Sequence, residues 1–89
     1  MTPFAKRVYR IVSGIPLGEV RTYKWIAHKA CRPKAYRAVG QILKNNPYPL
    51  IIPCHRIIES SGKLGGYILG KKTKAALLNL ERQIKKLVL

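Results

Sequence analysis

Prolines at 3, 16, 33, 47, 49 and 53 and seven glycines cut this 89-residue chain into short segments, and that punctuation limits where helices can run. Proline lacks a backbone donor and its ring clashes with the preceding turn, so a helix accepts it at the start but not inside. Pro3 follows Thr2, whose hydroxyl can cap a helix, and Phe4, Val8, Ile11 and Val12 then recur on one face before Gly14. A core-facing first helix is expected there. Gly14-Ile15-Pro16-Leu17-Gly18-Glu19-Val20 reads as a turn-rich connector, and Thr22 as the cap of a short helix carrying Tyr23, Ile26, Ala27 and Ala30. Cys31-Arg32-Pro33 breaks that helix.

A third helix is expected over residues 34–45, with Val39, Ile42 and Leu43 inward and Tyr36, Arg37 and Lys44 outward. Two short helices around a tight turn, the second rich in base, fit a helix-turn-helix, although an ordinary helical hairpin has the same pattern. Ala35, Ala38 and Gly40 surround Arg37 with small side chains, which suits close approach to a groove and suits helix packing equally. Further on, Leu50-Ile51-Ile52 and Arg56-Ile57-Ile58-Glu59 are apolar and β-branched and read as short buried strands. Ser60-Ser61-Gly62-Lys63 is a turn, and residues 64–69 form a possible return arm. A last helix is expected from about Thr73, with Ala76, Leu77, Leu80, Ile84 and Leu87 on its buried face and Arg82, Lys85 and Lys86 near its C-terminus. The expected class is mainly α, a winged-helix-like helix-turn-helix domain with short extended segments, as one domain over residues 1–89.

Charge narrows the partner. Eighteen Lys and Arg face only Glu19, Glu59 and Glu81, a net +15, so ion pairing cannot account for the excess base. Such a density favours a polyanion, with nucleic acid first. No run of about 18 apolar residues suggests a membrane span, and the N-terminus lacks a secretory apolar region, so a cytoplasmic location is expected, or a nuclear one in a eukaryote. In such a compartment Cys31 and Cys54 are expected to be reduced thiols.

The chemistry concentrates in Ile52-Pro53-Cys54-His55-Arg56, where a thiol stands beside an imidazole and a fixed positive charge. A thiol attacks as its thiolate, which a neighbouring base and positive potential make accessible. Alone, the Cys-His pair is weak, because a lone cysteine is commonly a small core residue. A zinc module built from His28, Cys31, Cys54 and His55 fits the usual ligand spacing poorly, and no metal or other cofactor is expected.

Several segments together are more specific. Gly18-Glu19-Val20-Arg21-Thr22-Tyr23, Arg37-Ala38-Val39-Gly40, Asn46-Pro47, Ile52-Pro53-Cys54-His55-Arg56-Ile57-Ile58, Gly65-Gly66-Tyr67 and Leu77-Leu78-Asn79-Leu80-Glu81 stand in the order and approximate spacing of the O6-alkylguanine-DNA alkyltransferases. The chain resembles that family from Phe4 to Glu81, without the N-terminal domain many members carry. The resemblance implies a monomer that acts on double-stranded DNA containing O6-alkylguanine, with O4-alkylthymine a second candidate. It implies a single irreversible transfer to Cys54, with His55 as general base through a water, Glu81 orienting it, Asn46 bracing the turn and Tyr23 protonating the leaving guanine. Arg37 would fill the space left by the flipped nucleotide, and Thr22, Ala35, Tyr36, Ala38 and Gly40 would meet the DNA in its minor groove. Tyr23, Pro49, Ile57, Gly65, Tyr67 and Ile68 would line the substrate pocket, where Ile68-Leu69 departs from the smaller, more polar pair common in the family. Alkyltransferase-like proteins, which bind alkylated DNA and lack the cysteine, and a regulatory helix-turn-helix protein are the alternatives, and Cys54 argues against both.

Overall fold

A computed structural model describes residues 2–67 and 69–88. The first helix, α1 (Pro3–Ser13), starts where the sequence places it: the Thr2 hydroxyl accepts from the Ala5 amide at 3.1 Å, and Pro3 occupies the first turn. Its Val8 and Val12 are fully buried. Strand β1 (Arg21–Thr22) runs directly into α2 (Tyr23–Lys29), capped by the Thr22 hydroxyl, which accepts from the Trp25 amide at 3.0 Å.

The break after α2 is made by Cys31 itself. Its φ of 64° reverses the chain, and the Arg32 amide closes back on the Ala27 carbonyl at 2.9 Å. Helix α3 (Tyr36–Lys44) follows, then a 3₁₀ turn at Cys54–Arg56, strand β2 (Ile57–Ile58) and α4 (Lys71–Val88). The mainly α, helix-turn-helix architecture expected from sequence is therefore present, with α2 and α3 as the helix pair. The two strands pair in parallel, Arg21 with Ile57 and Thr22 with Ile58. That short ladder matters because it sets the start of α2, and so Tyr23, beside the Cys54 turn.

Val8, Val12, Ile15, Ile26, Ala27, Val39, Leu43 and Ile57 form the centre of the core, with Cys54 at its edge. Each buried aliphatic side chain contributes roughly 1.5–3 kcal/mol, so α1, the helix pair and β2 stabilise one another through shared apolar area.

Two expectations are corrected. Leu50-Ile51-Ile52 is not a buried strand: Leu50 has a φ of 78°, and Leu50 and Ile51 are 54% and 79% exposed. The segment turns, with the Ile52 amide bonded to the Tyr48 carbonyl at 2.9 Å. Residues 64–67 likewise make no strand pairing among the described residues.

The second correction is the rotation of α4. Leu80 and Leu87 are 52% and 87% exposed, and Ala76 and Ile84 also face solvent, while Lys74, Leu78 and Glu81 are buried and Leu77 half-buried. Residues 74, 78 and 81 share a helical face. Glu81 bonds His55 and Arg56, and Lys74 bonds the carbonyls of Ile57 in β2 and of Gly66, so those polar partners fix the rotation. Turning the aliphatic stripe inward would abandon buried charged groups, a larger cost than exposing leucines.

Candidate active site

Cys54 opens the 3₁₀ turn and is buried, with its amide bonded to the Ile52 carbonyl at 2.7 Å. Beneath it lies Asn46, also buried. The Asn46 Nδ2 amide donates to the Ile52 carbonyl at 2.9 Å and to the Cys54 sulfur at 3.3 Å, while its Oδ1 accepts from the Tyr48 amide at 2.9 Å. One side chain thus saturates the turn and presents a donor to the sulfur, and such a bond strengthens as the acceptor gains negative charge.

His55 is buried, and its Nε2 lies 2.8 Å from Glu81 Oε2. Arg56 holds the same carboxylate with two prongs, Nε to Oε1 at 2.9 Å and Nη2 to Oε2 at 2.8 Å, and sends Nη1 to the Ile15 carbonyl at 2.8 Å. Burial pushes the Glu81 carboxyl up, but the bonds and charges of Arg56 and His55 outweigh it and hold the carboxyl below its ordinary value. The imidazole Nδ1 is buried without a hydrogen-bond partner among the described residues.

Cys54 faces a cavity of about 610 Å³ whose wall includes Tyr23, Gly40, Lys44, Gly66 and Tyr67. That volume suits a small planar ligand. Burial, then the electrostatic influence of Cys54 and of Glu59, raise the Tyr23 phenol above its usual value. Tyr67 is raised by burial, Cys54 and Glu81 in the same way. Both phenols therefore keep their protons at neutral pH. Gly40 belongs to the solvent-facing surface of α3 as well as to the cavity wall, and nothing lies within 4 Å of where a side chain on it would begin. The cavity and the exposed face of the second helix are one continuous surface.

A family model describing the 6-O-methylguanine DNA methyltransferase DNA-binding domain matches residues 3–83. The chain belongs to that methyltransferase family. It is 52% identical over 80 residues to the methylated-DNA–protein-cysteine methyltransferase of Methanosarcina barkeri, covering 90% of this chain and 51% of that protein. The constitutive enzyme of that name from Bacillus subtilis is 49% identical, covering 91% and 50%. Mycobacterium tuberculosis OGT in complex with DNA superposes with a TM-score of 0.91 at 47% identity, over 93% of this chain and 52% of that one. S. pombe Atl1, bound to damaged DNA containing O6-carboxymethylguanine, superposes with a TM-score of 0.80 at 34% identity, over 91% and 77%. The chain spans about half the length of the curated relatives it matches.

Of the residues that the methyltransferase resemblance singled out, the structure brings Cys54, His55, Glu81, Asn46, Tyr23 and Tyr67 around one cavity or directly behind it. Gly65 lies behind the wall at φ 73°, where a side chain would start 3.4 Å from the Tyr23 hydroxyl. Ile57 does not line the cavity. It is fully buried in the core and serves through its carbonyl. Pro49 is half-buried and pairs with Ile52 in an isolated bridge, away from the wall. Ile68 lies outside the described residues. Arg37 and Ala38 are exposed on α3, Ala35 and Tyr36 half-buried at its start, and the Thr22 hydroxyl is occupied by its cap.

Two residues of the site escaped the sequence reading. Arg56 was recognised only as a nearby charge, whereas it grips Glu81. Lys74 is fully buried, with Nζ donating to the Ile57 carbonyl and, at 3.3 Å, to the Gly66 carbonyl. It ties the loop that carries Tyr67 to strand β2. Burial pushes its ammonium down to about 8, against the opposing charges of Cys54 and Glu59. The available signal was spacing, since residues 74 and 81 lie two turns apart on one helical face.

Proposed function

We propose that this protein repairs DNA by taking the alkyl group of O6-alkylguanine onto Cys54, once per molecule. The sulfur attacks the alkyl carbon in line as the carbon–O6 bond breaks, and the electron pair stays with guanine. The thiol proton passes through a water to His55 at Nδ1, and Glu81 stabilises the imidazolium. Tyr23 supplies the proton that neutralises the departing base. The substrate is double-stranded DNA, engaged in the minor groove by α3 with its small residues Ala35, Ala38 and Gly40. Guanine O6 is unreachable inside the stack, so the nucleotide rotates out and Arg37 fills its place. The protein works as a monomer.

The observation that supports this reading best is the placement of the Cys54 sulfur between the Asn46 amide and the cavity, with a histidine held by the Glu81 carboxylate next to it. Mass spectrometry after incubation with a duplex containing O6-methylguanine tests it. The expected result is a gain of about 14 Da, one methyl replacing one hydrogen, on Cys54 and not on Cys31. Tight binding to the damaged duplex with no mass change would assign the protein to damage binding without transfer.

A further inference from the structure

A second concavity, of about 600 Å³, lies on the outer side of the helix pair, and its wall includes Lys24, Trp25, His28, Pro33, Lys34 and Tyr36. It is separate from the cavity at Cys54. Trp25 is the sole tryptophan of the chain and is 40% exposed, although Ile26 and Ala27 beside it are fully buried. The core has therefore taken the small aliphatic side chains of α2 and left its largest aromatic one outside. Cations surround that ring: the Arg21 guanidinium lies 5.3 Å and the Lys29 ammonium 5.9 Å from its centre. Lys24 stands 5.4 Å from the centre of the Tyr36 ring.

No acidic residue lines this groove, and Lys24, Lys29 and Lys34 form no ion pair among the described residues. Arg21 alone is held, by Glu19 at 2.9 Å. An exposed indole with the unpaired Lys24, Lys29 and Lys34 around it matches a ligand that is flat and aromatic on one side and anionic on the other. A nucleotide released from base pairing has both properties. A duplex offers phosphates but keeps its base faces stacked, and an acidic peptide satisfies the charges but has no use for the indole. The groove also adjoins the α3 surface through Tyr36, the first residue of that helix.

We infer that this groove binds an unpaired nucleotide of single-stranded DNA, with its base stacked on Trp25 and its flanking phosphates on Lys24, Lys29 and Lys34. Aromatic platforms set in basic grooves hold single strands in this way, with little sequence preference. The site does not depend on the transfer chemistry at Cys54, so it gives the protein a hold on gapped or frayed DNA beyond the damaged base.

Trp25 is its own reporter, because no other tryptophan contributes fluorescence. Two ligands are titrated: a short oligothymidylate, and an abasic oligodeoxynucleotide with the same number of phosphates. The parent is expected to show strong quenching with oligothymidylate and an affinity for it about 5- to 10-fold above that for the abasic strand, the effect of one stacked base. In Trp25→Ala, followed by anisotropy of labelled strands, that preference disappears, and in Trp25→Phe most of it returns. Methyl transfer from an O6-methylguanine duplex stays at the parental rate in both variants, so loss of transfer activity in the parent and loss of base preference are read independently. Equal affinity of the parent for the two strands would overturn the proposal. So would a base preference that survives in Trp25→Ala, which would place the base elsewhere, or an acidic peptide of equal charge that quenches and binds as well as oligothymidylate. If Trp25→Ala does not fold, Trp25→Phe and Lys34→Glu decide: the first is expected to keep the preference for a base, and the second to weaken both strands.

Discussion

The Asn46 side-chain amide donates at once to the Ile52 carbonyl and to the Cys54 sulfur, so one group both shapes the turn and faces the thiol. Asn46→Asp separates the two halves of that role. The carboxylate can still accept from the Tyr48 amide, as Oδ1 does now at 2.9 Å, but it donates nothing and sets a negative charge against the sulfur. Methyl transfer is expected to slow by about a hundredfold or more, the scale of losing one donor aimed at developing charge. Single-turnover transfer measures this, and a near-parental rate would remove Asn46 from the chemistry.

Arg56→Ala leaves Glu81 buried with its guanidinium partner gone. Breaking a buried pair in this way costs about 3–5 kcal/mol, a large share of the stability of a small domain. Urea denaturation checks the size. The pH dependence has a defined sign: the folded carboxyl of Glu81 is depressed, so its contribution is complete above the unfolded carboxyl pKa and is lost as pH falls through the folded one. The parent is therefore expected to lose stability on acidification more steeply than Glu81→Gln.

Lys74→Met keeps an unbranched side chain, shorter by the terminal nitrogen, but removes its charge and its two hydrogen bonds. The loop carrying Tyr67 is expected to loosen, seen as faster amide exchange around residues 64–67, and transfer to slow with it. The ammonium is pushed down to about 8 in the folded protein, so between about 8 and its ordinary value of 10.5 the unfolded chain holds more protons there. Raising pH across that window favours folding at this residue. Lys74→Met is expected to lack that increment when unfolding free energies at the two ends are compared.

Gly65→Ala places a methyl at φ 73°, 3.4 Å from both the Glu59 side chain and the Tyr23 hydroxyl. A left-handed backbone costs a non-glycine residue about 1–2 kcal/mol. The expected outcome is a lowered midpoint on thermal unfolding from the backbone strain, with transfer close to the parental rate, because 3.4 Å leaves the Tyr23 hydroxyl in ordinary contact. An unchanged midpoint would show that the loop absorbs the left-handed conformation without strain.

Arg37→Ala distinguishes extrusion from chemistry. Transfer from duplex DNA is expected to fall much more than transfer from free O6-benzylguanine, because only the duplex requires unstacking, at a few kcal/mol. The comparison is made at saturating DNA. A duplex rate equal to the parent would leave Arg37 as a phosphate contact.

Local signals were legible in the sequence wherever the deciding bond was itself local. The Thr2 and Thr22 caps bond amides three residues on, and the helices they start are where the pattern places them. The failures come from side-chain bonds that neither periodicity nor propensity registers. Aliphatic periodicity chose the wrong face of α4, because the face was decided by Glu81 meeting residues 25 and 26 positions away. Likewise the β-branched run at residues 50–52 has strand propensity, but Asn46 draws the chain into a turn instead. The site motifs were readable as a set, whereas the clamp by Arg56 and the tether by Lys74 needed the third dimension.

The outward face of α4, with Leu80, Ile84 and Leu87 open to solvent, has a consequence for handling and for assay design. At low ionic strength a net charge of +15 keeps copies apart, whatever their apolar surface offers. Added electrolyte shortens the reach of that repulsion to about 8 Å at physiological strength while leaving hydrophobic attraction intact. The same salt is expected to weaken the proposed grip on DNA by restoring competition from counterions. Ionic strength is thus a single dial that lowers the repulsion between copies as it lowers the proposed DNA affinity, so sedimentation on the same salt series sets the range in which binding curves report on single copies.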